Sequence, residues 1–236
     1  MKVAIIPARG GSKRIPRKNI KLFAGLPMIA WSIRAAIESQ CFDRILVSTD
    51  DSEIAQLAQS FGAEVPFIRP PELSDDHASA FVVTQHAISW LQDQGCMPDY
   101  VCVIYATAPF VQACFLKKAF SKLSAMPDKQ FCFSVTSFPF PIQRGVRIND
   151  QGEIEALHSE HFFSRSQDLE ECYHDAAQFY WGRPKAFLDG IILHSSAAMP
   201  YVLPRYLVQD IDTPEDWRRA ELMHQALVQS GELKTS

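Results

Sequence analysis

The order of apolar stretches along the chain predicts an α/β protein, a mostly parallel sheet flanked by helices. Two observations carry that expectation. Short runs rich in β-branched residues alternate with stretches of helical period as far as Ser137, and such alternation joins parallel strands through crossover helices. The composition also supplies the core such a sheet needs: 47% of the 236 residues are hydrophobic and 21% charged, which excludes a disordered chain.

Val3–Pro7 reads as a buried strand and is followed by a Gly-rich loop. Pro27 opens a helix to about Glu38, with Ile29, Ala30, Ile33, Ala36 and Ile37 at helical spacing. Arg44–Ser48 is the second strand, Ser52–Phe61 a helix capped by Ser52, and Glu64–Phe67 a third strand. A long helix covers Ala78–Gln92, Tyr100–Tyr105 is the fourth strand, Ala113–Leu123 a helix, and Phe131–Ser137 the fifth strand. There the alternation stops. Phe138-Pro139-Phe140-Pro141 opens a polar, turn-rich stretch that runs through Asn149-Asp150-Gln151-Gly152 to about Tyr173. We read residues 1–236 as one domain from which an arm departs at about 138–175. The pattern resumes with strands at Gln178–Trp181 and Tyr206–Asp210. A last helix runs from Pro214 to about Val228, capped by Thr213 with Pro in its first turn.

Several function classes fall away on composition. With 23 basic and 27 acidic residues the net charge is −4, so binding nucleic acid by bulk charge is not expected. No apolar run approaches the roughly 20 residues of a membrane span, and Met1–Pro7 is too short for a signal peptide. The cytoplasm is the expected compartment. The six cysteines form no CxxC pair and read as reduced packing residues. His158, His161, Cys172 and His174 have spacings a zinc site could use, but such spacings arise easily by accident, and polar loop residues are the plainer reading.

Two constellations remain. Between Arg9 and Lys21 lie Arg9, Lys13, Arg14, Arg17, Lys18 and Lys21, with no acidic residue among them. The junction after the first strand, Pro7 to Asn19, is neither GxGxxG nor GxxxxGK followed by Ser or Thr. Gly10-Gly11 nevertheless lets backbone N–H groups turn toward an anion, Ser12 adds a hydroxyl, and Arg9 and Lys18 add charge at the carboxyl end of a strand, where open α/β sheets bind ligands. Triphosphate binding is favoured over a merely solvated basic loop, because clustered cations repel without an anion between them. The second constellation is Asp210-Ile211-Asp212, whose carboxylates, two residues apart on extended chain, can face one hard cation. The alternative is an N-cap role for Asp212 with Asp210 an ordinary surface residue. Asp50-Asp51 is explained by helix capping, Asp75-Asp76 by a polar loop, and Ser79 either caps a helix or meets a nucleotide.

Taken together, Ala4 to Lys13 with Lys18-Asn19, Phe42-Asp43-Arg44 to Val47–Asp51, Gly62 to Phe67 with Arg69-Pro70, and Asp210 to Asp216 resemble the acylneuraminate cytidylyltransferases. Tyr105-Ala106-Thr107-Ala108-Pro109-Phe110 and Tyr173 to Trp181 look most like the pseudaminic acid branch of that family. The resemblance implies a Rossmann-like, cytoplasmic nucleotidyltransferase that joins CTP to an acidic nine-carbon sugar, giving a CMP-sugar and pyrophosphate. It implies that Arg9, Gly10, Gly11, Ser12, Lys18 and Asn19 hold the triphosphate, that Arg69 and Ser79 help form the CTP pocket, and that Asp210 and Asp212 hold Mg²⁺, with Mn²⁺ a substitute. Catalysis would rest on Arg9, Lys18 and the acidic pair, and the sugar would be met by Tyr105, Thr107, Gln178 and Arg165. The arm would be exchanged in a homodimer, Arg165 reaching the neighbouring subunit's sugar carboxylate. Sialic acid enzymes carry Gln-Pro-Thr-Ser-Pro where this chain has Tyr105 to Pro109, and the ketodeoxyoctonate branch carries an Asp there that is missing. Ala177 stands where the family usually has Gly, which puts its backbone conformation at issue. The segment Tyr105, Ala106, Ala108, Phe110 reads as an apolar wall suited to a methyl and an acetamido group, and so to pseudaminic acid before N-acetylneuraminic acid, with synthesis of CMP-N-acetylneuraminate or CMP-legionaminate as the alternative activities. The rival classes are a metal-dependent glycosyltransferase, which the Asp-x-Asp pair imitates, and a non-catalytic nucleotide-binding protein, which would not need both constellations.

Overall fold

The computed structural model describes residues 1–75 and 78–233, so that Asp76 lies outside the described residues. Strand β1 (Lys2–Pro7) is followed by the short hairpin of β2 (Leu22–Phe23) and β3 (Leu26–Pro27), helix α1 (Met28–Ser39), β4 (Arg44–Ser48) and α2 (Ser52–Ser60). Then come α3 (Ala80–Asp93), β5 (Tyr100–Ile104), α4 (Ala113–Ser124) and β6 (Phe131–Ser137). After β6 a small antiparallel hairpin, β7 (Val146–Ile148) and β8 (Ile154–Ala156), lies in the segment read as an arm. The chain returns in β9 (Tyr173–Gly182) and ends with α5 (Pro184–Leu188), β10 (Ala198–Val202) and α6 (Pro214–Gln229).

The central sheet has six strands in the order β10-β6-β9-β5-β1-β4. β1 runs parallel to β4 and β5, and β10 parallel to β6, while β9 is antiparallel to both of its neighbours. Helices cover both faces, which is why β1 reads as a continuous apolar run. Its Ala4 and Ile6 pack among residues of α1, α2 and α4, and its Val3 and Ile5 among residues of α3 and α5. A third cluster joins Ile15 of the basic loop, Phe23, Phe110 and Ile211 to Trp217 and Leu227 of α6, so the last helix clamps the first loop.

Five details differ from the sequence reading. Asp51, not Ser52, caps α2, its carboxylate accepting from the N–H groups of Glu53 and Ile54. Glu64–Phe67 is no strand: only single bridges join Leu46 to Glu64 and Thr49 to Ile68, since Pro66 has no N–H to give a ladder. Tyr206–Asp210 is a 3-10 turn, Arg205–Leu207, followed by irregular chain. The edge position beside β6 belongs instead to β10, which tolerates Pro200 because only one side of it is paired. β9 begins at Tyr173 and is antiparallel because the chain comes straight back from the arm, Ser137 facing Tyr173, without a crossover helix.

One bulge matters for the site. Phe133 pairs with Tyr180 and Val135 with Asp175, so β9 carries extra residues opposite Ser134. Ala177 lies in that bulge at φ 51°, in the left-handed region that favours glycine.

Candidate active site

β1 ends at Pro7 between β4 and β5, and the loop that follows curls over the carboxyl ends of these strands. Asn19 fixes the curl: its side-chain amide donates to the Arg9 carbonyl at 2.9 Å, and its own carbonyl accepts from the N–H of Ile29 at 2.9 Å. Gly10 is needed for a close approach, since a Cβ there would sit 2.7 Å from Asp51 Oδ2. Its N–H donates to Asp50 Oδ1 at 2.9 Å and is therefore engaged within the fold, whereas Gly11 faces open space.

Arg14, Arg17 and Lys18 of the loop meet counter-charges, brought from distant parts of the chain. Arg17 pairs with Asp51 and Glu53, and its hydrogen bond holds the Asp51 carboxyl below the usual carboxylate range. Lys18 Nζ donates to the Ile211 carbonyl at 2.5 Å and to Asp212 Oδ1 at 3.2 Å, while Arg14 reaches Asp212 Oδ2 at 3.0 Å. Lys21 lies over the Trp217 ring, 4.3 Å from its centroid. Arg69 is only 3% exposed, with Asp50 at 3.6 Å and Nε donating to the Ser74 hydroxyl at 3.2 Å. Burial draws its pKa down, which Asp50 partly offsets.

These groups surround a cleft of about 230 Å³ bounded by Arg9, Ser12, Lys18, Asn19, Arg69 and Asp212, with Tyr105 and Thr107 along one wall. Asp212 also lines an adjoining hollow with Asp210, Thr136, His174, Arg205 and Arg219. Asp210 is open to solvent on one side. The protein around it, and the negative charge of Asp212, push its carboxyl above the usual range, and Lys18 opposes that rise. Asp216, three residues after Thr213, completes a capping box and so belongs to the start of α6. Among the described residues no group of three or more His, Cys, Asp or Glu is placed to hold a metal, so the two carboxylates of the acidic pair are the protein donors available there.

Six of the site residues singled out in the sequence do not line this cleft: Gly10 and Gly11 in its loop, Asp210 in the adjoining hollow, and Ser79, Gln178 and Arg165. Ser79 caps α3, accepting from the Val82 N–H, and faces a second pocket. Gln178 is buried, its Nε2 donating to the Leu207 carbonyl at 2.6 Å and its Oε1 lacking a partner among the described residues. Arg165 sits on the arm, exposed and paired with Asp168 at 2.8 Å. The expected apolar wall is also corrected: Ala106 reaches the cleft, but Ala108 and Phe110 are packed in the core. An apolar pocket does exist elsewhere, of about 410 Å³, lined by Phe81, Val103, Ile191, Ile192 and Leu193 together with Tyr105, Tyr180 and Asp175. Sequence reasoning missed it. The signal was Ile191-Ile192-Leu193 after Gly190, an apolar run too short to read as a strand or a helix.

The cytidylyltransferase family pattern matches residues 3–194, a span that ends before the acidic pair. Pseudaminic acid cytidylyltransferase of Campylobacter jejuni is 46% identical over 94% of this chain and 95% of its own length. CMP-N,N'-diacetyllegionaminic acid synthase of Legionella pneumophila is 32% identical over 96% of this chain and 99% of its own. Among solved structures, CMP:2-keto-3-deoxy-manno-octonic acid synthetase complexed with CTP superposes with a TM-score of 0.67 at 19% identity, covering 96% of this chain and 99% of that one. At that identity the likeness speaks for the fold alone.

Proposed function

This chain belongs to the cytidylyltransferase family, and we propose that it activates pseudaminic acid, converting CTP and the free sugar to CMP-pseudaminic acid and pyrophosphate. The observation that carries the reaction is the meeting of Lys18 with Asp212, 194 residues away in sequence, at a cleft that also holds Arg9 and Arg69. A cleft with buried and half-buried cations on one side and Asp212 on the other, with Asp210 in the hollow that adjoins it, suits a triphosphate with its counter-ion. The choice of sugar rests on the 46% identity to the Campylobacter enzyme. An apolar pocket next to the cleft, sharing Tyr105 and Ala80 with it, fits a sugar that carries a methyl and acylamino groups.

In this reading Lys18, Arg9 and Arg69 neutralise the phosphates, Ser12 and the open backbone at Gly11 add donors, and Asn19 keeps the loop in shape. The sugar's anomeric oxygen forms a bond to the α-phosphorus while the bond from that phosphorus to the pyrophosphate oxygen breaks. Asp210 and Asp212 would hold Mg²⁺ or Mn²⁺. The donor set fits: two hard oxygens, one of them raised by partial burial and by its neighbour's charge, with an open side for phosphate oxygens and water. When bound, the cation supplies charge neutralisation on the phosphates.

The arm is the proposed dimer contact. Phe140, Ile148, Ile154 and Phe163 are exposed on it, and Arg165 lies outside its own chain's cleft, which supports a role for it at a neighbour's. The expected setting is the cytoplasm; among the described residues no helix is long and apolar enough to cross a membrane. Purified protein given CTP, Mg²⁺ and a panel of free acidic sugars tests the reading. Pyrophosphate release and a CMP-sugar mass should appear with pseudaminic acid, and excess EDTA should stop both. An equal or higher kcat/KM for N-acetylneuraminic acid overturns the choice of sugar.

A further inference from the structure

The apolar pocket beside the cleft carries a carboxylate among its walls. Phe81, Val103, Ile191, Ile192 and Leu193 supply carbon, and Asp175 and Tyr180 supply polar groups. Asp175 is half-buried and pairs with no cation among the described residues. Its Oδ1 accepts from the Ala177 N–H at 2.8 Å and from the Tyr180 hydroxyl at 2.8 Å, and its Oδ2 lies 2.9 Å from that same hydroxyl. The first of these bonds depends on the bulge that puts Ala177 in the left-handed region at φ 51°. Backbone strain that fixes one carboxylate in place is a feature that collects at ligand sites.

Proton counting says what kind of ligand group the carboxylate can meet. A tyrosine hydroxyl has one proton, and Tyr180 gives its own to Asp175. The Tyr180 oxygen and Asp175 Oδ2 are left with lone pairs and nothing to donate, so a group that meets them must be a donor. Next to apolar walls, a carboxylate without a cation draws such a donor strongly. The rest of the pocket decides which donor fits. A hydroxyl brings no carbon to set against the walls, and an ammonium brings three N–H groups to one carboxylate. A secondary amide brings one N–H, a carbonyl and a methyl. Ser79 and His194 also line the pocket, and neither donates a side-chain hydrogen bond to another described residue, so donors for that carbonyl are at hand. Asp175 lines the hollow that holds Asp210 as well. A sugar whose reacting carbon faces the acidic pair and whose substituent enters the pocket therefore passes this carboxylate.

We infer that Asp175 selects the sugar, its carboxylate accepting the N–H of an acylamino substituent whose methyl lies in the apolar pocket. The inference deepens the cytidylyl-transfer reading above and rests on it. Asp175 touches the substituent; Tyr180 and the Ala177 N–H are what hold the carboxylate in position.

Comparing amides with esters tests this. An ester oxygen in place of an acylamino nitrogen keeps the acyl group and its shape, but removes the N–H and sets lone pairs against the carboxylate. kcat/KM is measured for the acylamino sugar that the enzyme turns over best, and for analogues with an ester at each acylamino position in turn. The wild type should disfavour one analogue by about 10²-fold, the discrimination of a site whose charged acceptor is left without a donor. Asp175→Asn inverts the polarity at nearly constant shape. Its Oδ1 stays with Ala177 and Tyr180, and its Nδ2 donates where Oδ2 accepted. This variant should lose about tenfold or more on the amide sugar and turn over that ester at least as well as the amide, with KM for CTP little changed. A packing role would lower both alike and leave their ratio as it was. Tyr180→Phe retains the carboxylate and should retain the preference for the amide, with a raised KM for the sugar. Phe at 180 keeps the ring stacked on Phe133, 5.9 Å away, and Asn at 175 keeps the acceptor for Ala177, so both variants should melt near wild type. Equal use of amide and esters by the wild type, an unchanged ratio in Asp175→Asn, or loss of the ratio in Tyr180→Phe overturns the role of Asp175, while pyrophosphate release from CTP keeps the cytidylyltransferase reading in place. Activity only on acidic sugars that lack acylamino groups does the same. Protein inert with CTP toward every sugar in the panel overturns both.

Discussion

Strand β1 and the hairpin β7–β8 are both built around β-branched residues, and solvent treats them in opposite ways. Val3, Ala4, Ile5 and Ile6 are completely buried, whereas Ile148 and Ile154 are 75% and 73% exposed. The difference is cover, not composition. β1 has strands on both sides and helices on both faces, while β7 and β8 pair only with each other. A two-stranded hairpin cannot bury its own apolar side chains. The body of the molecule thus completes its own core and gathers the cation-lined cleft within one chain. The arm presents an unfinished surface, and in the proposed dimer whatever it does is done for another copy.

The hardest test of this contrast lies in the body. Lys18→Ala should lower kcat by about 10²–10³-fold, the usual cost of losing one preorganised charge at a reacting centre, while circular dichroism and the melting temperature stay near wild type. Near-normal turnover would reduce the basic loop to a solvated surface. Next is the arm's Arg165→Ala, expected to lose about one to two decades in kcat/KM for the sugar with little change for CTP, since it removes one charge-assisted contact. Mixed and re-equilibrated with Lys18→Ala, it should recover about a quarter of wild-type activity, because half the dimers are then heterodimers with one intact site of two. No recovery, with dimer exchange verified by mass, would place Arg165 in its own chain's site or in none.

Smaller effects sharpen the comparison. Phe163→Asp should weaken the dimer by about 1.5–3 kcal/mol, the worth of one buried aromatic, visible as monomer in sedimentation at low micromolar protein. Phe163 is 94% exposed, so the fold of the single chain should not notice. The smallest change is Ala177→Gly. It relieves a left-handed alanine at φ 51° that costs about 1–2 kcal/mol and gives back part of this in chain entropy, so the body should gain roughly 0.5–1 kcal/mol in a denaturant titration. A loss of stability there would mean that Ala177 contributes packing that outweighs its strain.

What could be read in advance depended on how local the determinant was. Helices α1 to α4 and α6 and strands β1, β4, β5 and β6 announce themselves through period and punctuation, and they were legible within a residue or two; the hairpin β2–β3 and the five-residue α5 were too short to show, and Glu64–Phe67 reads as a strand that does not form. β9 was legible as a strand but not in its direction, because that depends on how quickly the chain returns, with Ser137 opposite Tyr173. β10 was hidden by Pro200, which is acceptable only because the strand has a partner on one side. At the site, Arg9, Lys18, Arg69 and Asp212 line one cleft; the charges of the loop and the Asp-x-Asp pair stood out in the sequence by themselves, and Arg69 only through the family resemblance. That Asp212 is the counter-charge of Lys18 and Arg14 was not legible, since nothing in a sequence reports a contact across almost the whole chain. The hydrogen bond from Tyr180 to Asp175 was not legible either, for a different reason: it depends on the bulge in β9, and Asp175 falls at what reads in the sequence as the end of the arm.

The facing of Ser137 and Tyr173 has an engineering consequence. Two neighbouring strands of the central sheet enter and leave the arm at one paired position, so the arm is plugged into the body as a cartridge is into a socket. Its length makes little difference to the entropy of closing the chain, which grows only slowly with loop size. Arms of other lengths, or a short reverse turn, can therefore be seated at this socket without shifting the register of a single sheet strand. In the proposed dimer the subunit contact and the arm's contact with the sugar would then be exchangeable parts, while the cleft at the end of β1 stays where it is.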